Sequence, residues 1–173
     1  QTCALPIFLS GLRDWQVCAS IDGTGRIGEY IRSGLDFDSW LANIREGITY
    51  SRHSRQIRLD FTLTTPGLFE VQAIQSLAKE LGVQILAKVV FSFSPDIVMS
   101  PLALPREILH PWIDEIQHSI DKGALSDILV QLKTRQTFQE QWPTEWEAGL
   151  KKGKDRILKL EKIRKDQIGR AHV

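Results

Sequence analysis

At 173 residues, 42% of them hydrophobic and 25% charged, the chain suits one globular domain or part of a larger one. Its 22 basic and 21 acidic residues nearly cancel, so overall charge makes nucleic acid an unlikely partner. No apolar run approaches the roughly 20 residues that a membrane span needs, so no membrane partner is expected and a cytoplasmic setting is the default.

The two ends are related through their coding DNA. Ile168-Gly169-Arg170-Ala171-His172-Val173 can be written ATC GGA AGA GCA CAC GTC. The opposite strand, shifted by one base, encodes the stretch from Thr2 through Cys3, Ala4, Leu5 and Pro6 to Ile7. One oligonucleotide read at both ends of an insert produces such a match, and this one is a sequencing-adapter sequence. Residues 1–7 and 168–173 are therefore expected to be non-native and to take no part in the fold. Phe8 to Gln167 is expected to be a piece of a longer protein. Without Arg170 the basic residues number 21, equal to the acidic ones. Without Cys3 the one thiol is Cys18, in an apolar strand, where a buried structural role is expected and no disulfide framework is possible.

Val17 to Ile21 reads as a buried strand that runs into a polar, glycine-rich turn. Asp36, Asp38 and Ser39 offer helix caps before Trp40, Leu41, Ile44 and Ile48, whose spacing makes one apolar helical face. Ile57 to Thr65 alternates apolar and polar residues and reads as a second strand, broken at Pro66-Gly67. Leu68 to Leu81 reads as a helix with Val71, Ile74, Leu77, Ala78 and Leu81 inward, and Gly82 stands where a C-terminal cap is expected. A third strand is expected from Val83 to Phe93, ending before Pro95. The order β-α-β-α-β, with crossovers of this length, implies parallel strands. A parallel sheet needs cover on both faces and usually more than three strands, so this sheet is expected to be incomplete.

Past Pro95 the pattern turns helical. Met99 to Pro105 reads as a loop. Helices are expected at about 106–109, 111–121, 126–138 and 145–165, with Pro111 either starting a helix or kinking a longer one. Thr144 and Glu147 have the spacing of a capping box.

Chemistry concentrates after the first strand. Gly23-Thr24-Gly25-Arg26-Ile27-Gly28 matches the dinucleotide fingerprint G-x-G-x-x-G, so a nucleotide-binding domain is one alternative. The helix that follows is short, Asp22 stands where a pyrophosphate would lie, and no acidic residue ends the second strand for a ribose. Taken for themselves, Ser20 and Asp22 can satisfy turn amides, and Arg32 can pair with Glu29.

Ser20-Ile21-Asp22-Gly23, then Glu29-Tyr30-Ile31-Arg32, then Trp40 and Asn43-Ile44, resembles the fourth-strand region of radical S-adenosylmethionine (SAM) enzymes. The likeness is to members carrying a SPASM or shortened twitch C-terminal domain. It extends over most of 8–167, with the strands at 57–65 and 83–93 in place of the fifth and sixth. It implies an α/β fold: residues 8–100 as the C-terminal half of a partial parallel TIM-like barrel, and 101–167 as a helical extension leading towards a further C-terminal domain. It also implies that Ser20 hydrogen-bonds SAM near its amino-acid or ribose portion and that Arg32 pairs with the cofactor carboxylate, a task suited to a planar charged fork. Asp22 and Gly23 would shape the turn, and Thr64-Thr65 would stand near the cofactor. The activity implied is reductive cleavage of SAM to a 5'-deoxyadenosyl radical, which abstracts hydrogen from an unknown substrate, a peptide or protein by the SPASM likeness. The chain departs from the family in lacking the C-x-x-x-C-x-x-C loop that holds the 4Fe–4S cluster. That loop is expected upstream of Phe8, so this chain alone is expected to be inactive.

Of the remaining candidates, His53 lies among arginines in a connection that reads as a solvated loop. His110 and His118 have no cysteine or carboxylate at ligand spacing, so no metal site is expected. The basic run from Lys151 to Lys165, with Ile157, Leu160 and Ile163 among it, reads as a solvated helix face with an apolar docking stripe. RNA contact by such a helical module is the other alternative, although no aromatic residue lies in the run to stack on bases.

Overall fold

The computed structural model describes residues 11–12, 14–90 and 93–170, with the side chains of 165–170 excepted. Three strands, β1 (Val17–Ile21), β2 (Ile57–Leu63) and β3 (Gln84–Val89), form one parallel sheet in the order β1-β2-β3. Helices α1 (Gly25–Ile31) and α2 (Phe37–Thr49) connect the first pair, and α3 (Val71–Leu81) connects the second. An extension follows: α4 (Arg106–Ser119), α5 (Ala124–Thr134), α6 (Phe138–Gln141) and α7 (Trp146–Arg170). The chain is thus an α/β fold with parallel strands, crossover helices and a helical extension, its sheet not closed into a barrel.

The period-2 alternation decides which face is covered. Ala19, Ile21, Leu59, Phe61, Leu63 and Val89 are buried on one side of the sheet. There they meet Val71, Ile74, Leu77 and Ala78 of α3, joined by Leu109 and Ile113 of α4 and by Leu125, Leu129 and Leu132 of α5. Helix α2 adds Trp40, Leu41 and Ile44, half-buried against the same core. The other side carries Cys18, Ser20, Arg58, Asp60, Thr62, Leu86 and Lys88, none of them buried. Cys18 is exposed, which corrects the expected buried thiol. Its neighbours in sequence are apolar, but its side chain falls on the face that no described helix covers.

Local signals set most boundaries. The Asp36 side chain accepts from Ser39 N at 3.0 Å and caps α2. Gly82 ends α3 at φ 65°, left-handed backbone that a side chain disfavours. Elsewhere packing moved them. β2 stops at Leu63 and β3 at Val89, short of the expected 65 and 93; Phe91 and Ser92 lie outside the described residues. The turn at Pro66–Glu70 is a tight 3-10 helix that precedes α3. Pro111 lies inside one continuous helix rather than between two. The expected helix over 126–138 divides into α5 and α6. The reason is a capping box at Thr137 and Glu140, where Thr137 N donates to Glu140 Oε2 at 2.7 Å. The expected box at Thr144 does not form, because the Thr144 hydroxyl donates instead to Glu145 Oε2 at 2.6 Å. Residues 168–170, expected to be foreign, continue α7, whereas 1–7 and 171–173 lie outside the described residues.

Candidate functional site

β1 delivers Ser20 to the open face one residue before its end, and Asp22 begins the turn. The Ser20 hydroxyl makes no hydrogen bond to a described residue and is half-buried beside Asp60, its register partner on β2. The Asp22 carboxylate accepts from Arg32, with Nε at 3.0 Å and Nη2 at 2.8 Å from Oδ2. Arg32 stands just past α1, its N–H donating to Gly28 O at 2.9 Å. Its side chain is 42% exposed and that of Asp22 is 12% exposed, so the pair opens to solvent on the arginine side. Glu29, the alternative partner for Arg32, instead accepts from Phe37 N at 3.1 Å.

Two of the three glycines serve the compactness of the turn, while Gly25 has open space around it and takes φ 45°, left-handed backbone that a side chain disfavours. A Cβ on Gly23 would meet Ile27 Cγ2 at 3.1 Å and Gly28 N at 3.2 Å, and one on Gly28 would overlap the Gly23 carbonyl. α1 is thereby folded back on the strand end, as in a dinucleotide fold. The anion position at its first amide is nonetheless taken. The buried Glu70 carboxylate accepts from Thr24 N at 2.7 Å and from the Thr24 hydroxyl. A pyrophosphate would have to displace a carboxylate supplied by the protein itself, which argues against the dinucleotide alternative. Nothing in the local sequence around 23–28 announces Glu70, which arrives from 46 residues away.

The hydroxyls of Thr64 and Thr65 are both engaged within the chain. Thr64 is buried and its Oγ1 accepts from Gly67 N at 3.0 Å, while the Thr65 hydroxyl donates to Val98 O at 2.8 Å. The Thr64 hydroxyl braces the turn after β2 from within, and the Thr65 hydroxyl ties that turn to the loop after β3.

The basic helix α7 folds back over that loop. Lys152 Nζ and Arg156 Nη1 lie 3.1 and 3.7 Å from Asp96 Oδ2. The Ser94 hydroxyl and the Lys152 ammonium hold the Asp96 carboxyl below the usual range. Gly153 allows this approach, since a Cβ there would overlap the Asp96 carbonyl. Further along, Arg164 donates to Tyr30 O at 2.8 Å and the Tyr30 hydroxyl to Glu161 Oε1 at 2.8 Å. The bond to Glu161 and partial burial raise the Tyr30 pKa. Three cations of the run are thus engaged within the chain, which weakens the RNA alternative.

His53 is exposed, as expected of a loop. His110 lies 3.1 Å from Arg106 Nη1, and burial first, then the Arg106 charge, lowers its pKa. Among the described residues no group of three or more His, Cys, Asp or Glu side chains could hold a metal ion. No described helix is long and apolar enough to cross a membrane.

No family model, curated protein or solved structure matches this chain.

Proposed function

We propose that the chain carries the SAM-binding part of a radical S-adenosylmethionine enzyme core, cytoplasmic in setting, with a helical extension. The observation that supports it best is the polar end of β1: Ser20, with no hydrogen bond to a described residue, stands one residue before the end of a parallel strand, and just past it the half-exposed Arg32 fork meets Asp22, where open α/β sheets take ligands. When bound, SAM supplies the chemistry of hydrogen abstraction. The residues here fit its amino-acid end. Arg32 offers a planar, permanently charged fork for a carboxylate. Asp22 holds that fork in place before the ligand arrives, which lowers the entropy lost on binding. Ser20 adds a hydroxyl that donates or accepts.

A 4Fe–4S cluster does not fit this chain. Such clusters are held by about four cysteine thiolates, and the sequence has 2 cysteines, Cys3 and Cys18. No step through a cluster is assigned to these residues; in the proposal its ligands come from sequence preceding Phe8. The coding DNA upstream of Phe8 tests this directly. A C-x-x-x-C-x-x-C loop after a first βα unit is the expected result, and an unrelated strand pattern would overturn the reading. For the site itself, calorimetric titration with SAM should show binding that Arg32→Ala weakens by about tenfold or more, the loss of a charge-assisted pair. Equal binding by the variant would remove Arg32 from the site.

A further inference from the structure

Away from the end of β1, two aromatic side chains stand in the open. Phe69 is 58% exposed, because the tight turn at Pro66–Glu70 sends Leu68 into the core and leaves its neighbour outside. Trp112 is 42% exposed, one residue before Ile113, which with Leu109 makes the buried face of α4. The two rings meet edge to face, with centroids 5.2 Å apart and planes at 81°. They are adjoining walls of a cleft of about 200 Å³ that Leu68, Gln72, Glu115 and Ile116 also line. Glu115 and Ile116 follow Trp112 at the spacing that puts all three on one side of the helix. Glu115 is exposed and makes no hydrogen bond or ion pair with a described residue. Among the described residues, no lysine, arginine or histidine lines the cleft.

Two large rings left half in water give up stabilisation that a buried position would supply. What the corner offers instead is a complement for a cation. Each ring face carries the negative side of its quadrupole, and the unpaired carboxylate adds a full negative charge beside the rings. A lysine ammonium is a poor occupant. It is strongly hydrated, and two ring walls with one carboxylate leave its three N–H donors short of acceptors. A quaternary ammonium has no N–H to satisfy and presents methyl groups that pack on the ring faces. A neutral group of the same shape would keep the ring contacts and gain nothing from Glu115.

We propose that Phe69, Trp112 and Glu115 form a binding site for a quaternary ammonium group. The site lies on the turn after β2 and on α4, and it stands whether or not the end of β1 takes a cofactor. The test is proton NMR titration of the full 173-residue chain with choline, with its neutral carbon isostere 3,3-dimethylbutan-1-ol, and with Nα-acetyl-Nε-trimethyllysine amide. Saturable upfield shifts of the N-methyl protons are expected, since methyl groups over ring faces are shielded by the ring currents. The isostere should bind about three- to tenfold more weakly than choline, the loss of the cation–π attraction. Tighter binding of choline assigns the site to a free small molecule, and tighter binding of the lysine derivative assigns it to a methylated side chain. Trp112→Leu should reduce the upfield shift and weaken choline by about three- to tenfold. Glu115→Gln should weaken it by about two- to fivefold, the worth of an exposed ion pair. Equal binding of the isostere, or unchanged choline affinity in both variants, overturns the site and leaves a plain apolar patch. Absence of a saturable response to both cationic probes overturns it as well. Should Trp112→Leu fail to fold, the comparison of choline with its isostere on the unaltered chain still decides.

Discussion

The two faces of the sheet are built from alternate residues of the same strands, yet they do different work. On one face Phe61, Leu59 and Leu63 are wholly buried within one apolar cluster. On the other, Ser20, Asp60 and Lys88 remain accessible, and Asp60 Oδ1 and Arg58 Nε are buried without a hydrogen-bond partner. Parallel sheets usually bury both faces. A covered face supplies stability through area removed from water, whereas unmet polar groups cost stability and are useful only against a ligand or another surface. The covered and the open face are thus separated by one residue of register.

Adjacent residues on β2 test this most sharply. Phe61→Ala should destabilise the protein by about 3–5 kcal/mol in urea unfolding, whereas Thr62→Val should change stability by no more than about 0.5 kcal/mol. Comparable losses at the two positions would show that the open face is structural after all. A smaller effect is expected at Glu70, a buried carboxylate that accepts two hydrogen bonds from Thr24 on one oxygen. Glu70→Gln keeps the shape but loses a charged acceptor at Thr24, and a loss of about 1–3 kcal/mol is expected in the same assay. An unchanged midpoint would mean that the carboxylate does not hold α1 in place.

The smallest effect lies in the extension. Arg106 grips Glu140 with Nε at 2.5 Å from Oε1 and Nη2 at 2.7 Å from Oε2, and the Thr137 N–H adds a third bond. The Arg106 bonds first, then Thr137, lower the Glu140 pKa from 4.5 to about 2. A carboxyl whose folded pKa is depressed stabilises the fold above its unfolded pKa and loses that contribution as pH falls through the folded one. The contribution of Glu140 is therefore whole above about 4.5 and fades towards pH 2. Arg106→Met should move the Glu140 carboxylate titration, followed by carbon NMR, back towards 4.5. A titration left near 2 would show that Thr137 alone holds the anion.

Much of this architecture was legible in local pattern. The alternation Ile57, Leu59, Phe61, Leu63 announces β2 and its buried face, Asp36 announces the start of α2, and Gly82 announces the end of α3. Each is a signal carried by a few consecutive residues and one steric or hydrogen-bonding rule. Asp22 and Arg32 were legible as charged residues flanking the turn after β1, although the partner that Arg32 takes, Asp22 rather than Glu29, depends on how α1 turns back. Glu70, Asp60 and Lys88 were not. Glu70 acts 46 residues from its own place in the chain, and the ion pair of Lys88 Nζ with Asp60 Oδ2 exists only once β2 and β3 are in register. Cys18 was misread for the same reason, since strand composition does not tell which face lacks a helix.

Taken alone, the sequence determined the three strands, their parallel order and the polar turn after β1, because periodicity, caps and glycine positions are local and steric. Only the tertiary structure decided which sheet face stays open, that a carboxylate fills the anion position of the glycine turn, and that Asp60 is left with an unmet oxygen. Those outcomes depend on contacts between segments far apart in the chain, where register and packing, not propensity, select the partner.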